Sequence, residues 1–80
     1  MAEKRGLSVE DAIPVNSVCE EYVYLDAKYG KRGKGWRLVG QYLIGTDDKP
    51  CDKLEIRLAS GEVKELYFDI SAFHHRPKMD

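Results

Sequence analysis

Eighty residues, 42% of them hydrophobic and 34% charged, make one small domain that can form a core rather than a disordered chain. No apolar run reaches the roughly 18 residues of a membrane span, and the charged start Met1–Gly6 leads into no apolar stretch, so no secretory signal is read. Thirteen basic and fourteen acidic side chains leave a net charge of −1, which taken globally speaks against a dedicated nucleic-acid coat.

A chain of this length hides only about 60–65% of its unfolded surface on folding, which leaves a thin core. Function is therefore expected at a surface, or at a junction with a second copy, rather than in a deep cleft.

The ordered core is expected over residues 8–73, with 1–7 and 74–80 as flexible tails. Ser8 stands three residues before Asp11, with Val9, Ala12 and Ile13 at helical spacing. This predicts a short N-terminal helical turn that Pro14 brings to an end.

The segment from Ser17 to Tyr29 carries opposing signals. Its centre, Tyr22-Val23-Tyr24-Leu25, has strand-like composition. Its ends are helical: Ser17 with Glu20 forms a capping box, Glu20 and Glu21 suit the positive end of the helix dipole, and Gly30 offers a C-cap. Val18, Tyr22, Leu25 and Tyr29 make a continuous stripe on one face, and the segment is read as a helix.

From Gly35 onward the pattern is antiparallel sheet. Trp36, Leu38, Tyr42 and Ile44 are expected on one face of the first strand, with Arg37, Val39, Gln41 and Leu43 on the other. After the turn-rich stretch Gly45–Pro50, Leu54, Ile56 and Leu58 alternate with Lys53, Glu55 and Arg57. Ala59-Ser60-Gly61 reads as a three-residue hairpin with Gly61 at the position of positive φ. That loop sets Leu58 opposite Glu62, Ile56 opposite Lys64 and Leu54 opposite Leu66. The expected fold is α+β: one main helix on a three-stranded antiparallel β-meander in two layers, order α-β-β-β, after the short N-terminal turn.

Cys19 and Cys51, without an export signal, fit a reducing cytoplasm better than a disulfide framework. With His74 and His75 they give a nominal zinc inventory, but close-spaced ligand pairs are absent. Asp47, Asp48 and Asp52 fit no calcium loop. A Cys51/His74/Asp69 nucleophilic set can be written down, yet no oxyanion hole accompanies it. No catalytic residue, metal or cofactor is assigned.

The most distinctive stretch is Lys28–Arg37, with five basic side chains, three glycines, a tyrosine, a tryptophan and no acid. The rest of the chain then holds eight basic and fourteen acidic residues, a local balance of −6. Lys28, Lys31, Arg32, Lys34 and Arg37 could meet phosphates, and Trp36 or Tyr29, if either is exposed, could stack on a base. The competing reading is a solvated helix-to-strand connection with Trp36 in the core. The glycine spacing matches neither a P-loop nor a dinucleotide fingerprint.

One helix covers a three-stranded sheet poorly. Val23 and Tyr24 on the back of the helix, and Val39 and Leu43 on the second sheet face, are expected in water unless a second copy covers them. The leading expectation is a non-enzymatic protein-interaction module acting as a homodimer. Nucleic-acid or phosphate binding through residues 28–37 is the alternative, and a small enzyme or ligand carrier with a site between subunits stands third.

Overall fold

The computed structural model describes residues 6–46 and 48–73. Of the expected tails at 1–7 and 74–80, residues 1–5 and 74–80 lie outside the described residues, while residues 6 and 7 are described. The elements are β1 (Ile13–Pro14), α1 (Val18–Tyr29), β2 (Trp36–Gly45), β3 (Pro50–Leu58) and β4 (Val63–Asp69). They form one helix and a mixed four-stranded sheet in the order β1-β4-β3-β2.

The helix is capped as its sequence requires. Ser17 Oγ accepts the Glu20 N–H at 3.2 Å, Glu20 reaches back to the Asn16 N–H at 2.9 Å, and Gly30 closes the far end at φ 97°. Tertiary contacts settle the mixed signal of Tyr22–Leu25. Leu25 is fully buried, Tyr22 stands edge-on to Trp36, and Tyr24 stands edge-on to Phe68. Beneath them Leu54, Ile56, Leu66 and Phe68 complete the core. Burying each such side chain contributes about 1.5–3 kcal/mol.

The expected three-stranded meander is corrected by a fourth strand. Ile13 and Pro14 pair in parallel with Phe68 and Asp69, and the Val15 N–H bonds to the Asp69 carbonyl at 3.1 Å. The same proline that was read as ending a helical turn explains this, because it pushes Ile13 into extended backbone. Ile13 and Val15 are then buried on alternate positions at the sheet edge, a gain that a solvated turn would forgo. Gly6 joins the fold too, since its carbonyl accepts the Tyr67 N–H at 2.8 Å.

The β3–β4 hairpin has the expected register: Leu54 faces Leu66, Ile56 faces Lys64, and Gly61 sits at φ 94°. In β2 the expected faces hold only for the first half. Leu38 pairs with Ile56, but Gly40 pairs with Glu55, so Val39 is an extra residue in the strand. This bulge reverses the alternation that follows it. Gln41 and Leu43 come to lie opposite Leu54 and Asp52 on the helix side, while Tyr42 and Ile44 turn to the other face. There the Lys53 ammonium lies 5.1 Å from the Tyr42 ring centre. A side chain at Gly40 would collide with that ring.

Candidate functional site

The structure divides the basic stretch 28–37 into two groups. The first is held against the helix. Lys28 Nζ lies near the rings of Tyr24 and Tyr29, and donates to the Tyr24 hydroxyl at 3.4 Å. The Arg32 guanidinium stacks 4.9 Å from the Tyr22 ring centre and 5.9 Å from that of Trp36.

The second group faces a cavity. Residues 31–35 turn sharply, with the Lys34 and Gly35 N–H groups both bonded to the Lys31 carbonyl. A side chain at Gly35 would run into the Tyr29 carbonyl, and Gly33 has φ 88°, so both positions require glycine. The Gly35 carbonyl accepts the Ala59 N–H at 3.0 Å, which ties this turn to the β3–β4 hairpin. Between turn and hairpin lies a cavity of about 380 Å³, lined by Gly33, Lys34, Trp36, Arg37, Arg57 and Leu58 together with the hairpin tip. Arg37 and Arg57 are direct cross-strand partners. Like charges in that position cost stability. Among the described residues no carboxylate pairs with Lys34, Arg37 or Arg57.

Trp36 is only 1% exposed, and its indole N–H donates to Asp26 Oδ1 at 3.0 Å. The expected stacking platform is therefore corrected: the ring is core, and no base can lie on it. Lys31 is exposed and shapes the turn through its backbone. Arg57 lines the cavity, although its alternation with Ile56 and Leu58 predicts only a wet strand face. The signal for it was the strand pairing, since a β2 strand running beside β3 brings Arg37 and Arg57 together.

A second cluster lies under the helix. Glu21 is fully buried, and neither of its oxygens meets an N–H or O–H among the described residues. Its partner is the nearly buried Asp52, whose Oδ2 accepts Gln41 Nε2–H at 2.8 Å. Two carboxylates cannot both be acceptors, so Glu21 keeps a proton and donates it to Asp52. Burial first, then this hydrogen bond and the charge of Asp52, push the Glu21 carboxyl up to about 8. By its position in the first turn Glu21 is expected to serve the helix dipole. Its place four residues before Leu25, on the same helical face, was the sign that it points inward.

The remaining candidate sets do not assemble. Cys51 and Asp69 are cross-strand partners, but burial raises the Cys51 thiol pKa, which keeps it protonated and a poor nucleophile. His74 and His75 lie outside the described residues, as does Asp47. Cys19 is exposed and Cys51 buried, both as free thiols. Asp48 is exposed whereas Asp52 is buried beneath the helix. Among the described residues no three His, Cys, Asp or Glu side chains could share a metal ion, and no helix is long and apolar enough to cross a membrane.

Of the four residues expected on an interface, Val23 is 60% exposed, and Val39 and Leu43 are each 53% exposed. Tyr24 differs, because it is half-buried against Phe68 rather than on the back of the helix. Comparison with known protein families, characterised proteins and solved structures finds no match to this chain.

Proposed function

We propose that this chain binds phosphate-bearing ligands in the cavity between the 31–35 turn with the start of β2 and the β3–β4 hairpin. The observation that carries this reading is the grouping of Lys34, Arg37 and Arg57 around one cavity, with no carboxylate paired to them among the described residues. Arginine forks match phosphate oxygens bidentately, and a ligand phosphate would relieve the repulsion between the two guanidinium groups. With Trp36 buried and Tyr29 half-buried beside the Lys28 ammonium, recognition works through phosphate rather than through base stacking.

A labelled 12-residue single-stranded oligonucleotide, followed by fluorescence anisotropy, tests it. Binding should be indifferent to base sequence, and its logarithm should fall with log salt at a slope of about −2 for three neutralised phosphates. The combined variant Lys34→Glu, Arg37→Glu, Arg57→Glu should lose at least about a hundredfold in affinity. Competition by inorganic pyrophosphate separates a ligand held by its phosphates alone from one that needs a strand. No binding at low salt, or binding unchanged in the triple variant, would sink the proposal.

A second reading, a protein-interaction module that pairs with a second copy, draws on the free edge of β2. The stretch Leu38–Ile44 contains no charged residue and no proline, and Val39, Tyr42 and Leu43 are each about half exposed. Sheet edges of that kind invite pairing with another strand. Sedimentation at tens of micromolar should show a dimer that Val39→Lys with Leu43→Lys converts to monomer. A monomeric wild type would rule this reading out. The two free thiols fit a reducing, cytoplasmic setting for either role.

A further inference from the structure

Asp26, near the end of α1, holds the connection to β2 at three points. Its Oδ1 accepts the Arg32 backbone N–H and the Trp36 indole N–H, both at 3.0 Å. Its backbone carbonyl accepts the Gly30 N–H at 3.0 Å. The two residues that Oδ1 fixes bracket the Gly33-Lys34-Gly35 turn on either side. Trp36 is buried in the core and is followed directly by Arg37, so its orientation aims Arg37 at the opposite face of the strand. No other side chain is hydrogen-bonded to this connection among the interactions of the described residues.

We infer that Asp26 is a positioning residue for the phosphate site: an acid that raises affinity for an anion by holding Lys34 and Arg37 in place. The inference rests on the phosphate-binding reading above. It is open to a sharp test because charge and architecture pull in opposite directions. By Coulomb's law alone, removing a negative charge near a cationic cavity strengthens anion binding. If the carboxylate oxygen instead organises the cavity, removing it weakens binding although the protein becomes more positive.

The oligonucleotide titration is run across salt with wild type, Asp26→Ala, Asp26→Asn and Trp36→Phe, each checked by thermal melting. Asp26→Ala should bind about tenfold more weakly, the loss of roughly one charge-assisted contact, with a shallower salt slope. Asp26→Asn removes the charge but keeps the Oδ1 acceptor, and should bind at least as tightly as wild type. Trp36→Phe leaves the charge and the buried ring but deletes one donor, and should bind about threefold more weakly. Asp26→Ala binding as tightly as wild type or tighter overturns the inference, and so does Asp26→Asn falling as far as Asp26→Ala. Unchanged affinity in Trp36→Phe also overturns it, and that variant decides the matter should Asp26→Ala fail to fold. A wild type that does not bind at all defeats the phosphate reading itself, which is a distinguishable result.

Discussion

A like-charge pair stands towards each end of the β2–β3 ladder, one across the two strands and one between β3 and the helix, and the protein treats the two in opposite ways. At the end where β2 begins, Arg37 faces Arg57 across the strands beside an open cavity. Towards the other end Asp52 meets Glu21, but there the helix covers both groups. Water and salt weaken the first repulsion, and both guanidinium groups remain open to an outside anion. Under the helix the same juxtaposition has no water to screen it. One carboxyl must keep its proton, and the buried pair carries one negative charge in place of two. Solvent access, rather than residue type, decides which cluster can act on the outside.

The largest test of that contrast is pH. Glu21 is held near 8 in the fold against an ordinary value of 4.5, so the native state keeps a proton that the unfolded chain gives up. Stability from this group is full below pH 4.5, falls as pH rises from there to about 8, and is flat above. Glu21→Gln mimics the protonated form at every pH. Its stability should match wild type near pH 4.5 and exceed it by on the order of 2–4 kcal/mol above pH 8. Urea unfolding from pH 4.5 to 9 measures the gap. Parallel curves for the two proteins would mean that Glu21 is ionised in the fold and the contrast with the arginine pair is wrong.

The two clusters also differ in how far the sequence reveals them. Local rules served well wherever a contact lay within one turn or one hairpin. Ser17, Glu20 and Gly30 delimit the helix, and Ala59-Ser60-Gly61 sets the β3–β4 register. Lys34 and Arg37 were candidates from the basic stretch alone. The rest depended on partners distant in the chain. Arg57 joins the cavity only through β2–β3 pairing, and Gln41 reaches Asp52 only because the Val39 bulge turns it to the helix side. A bulge inserts one residue into a period of two, and its one mark in the sequence is Gly40, which by type does not say whether a bulge or a close approach is meant. The β1 strand is likewise too short for alternation to show, so Ile13 and Val15 are legible only once β4 stands beside them.

The smallest expected effect gives the most direct view of the open end. Arg57→Glu places a carboxylate opposite Arg37 and replaces a repulsive cross-strand pair with an attractive one. Because the pair lies at the surface, the gain should be modest, about 0.2–1 kcal/mol in urea unfolding, and should shrink in 1 M salt. The same change removes one cavity cation and occupies a second, so oligonucleotide affinity should fall while stability rises. A ligand site is expected to move in those opposite directions, because the wild-type arrangement gives up stability that a bound phosphate would restore. Were Arg57→Glu less stable than wild type at low salt, Arg37 and Arg57 would not be repelling each other, and the cavity would have no uncompensated charge to offer.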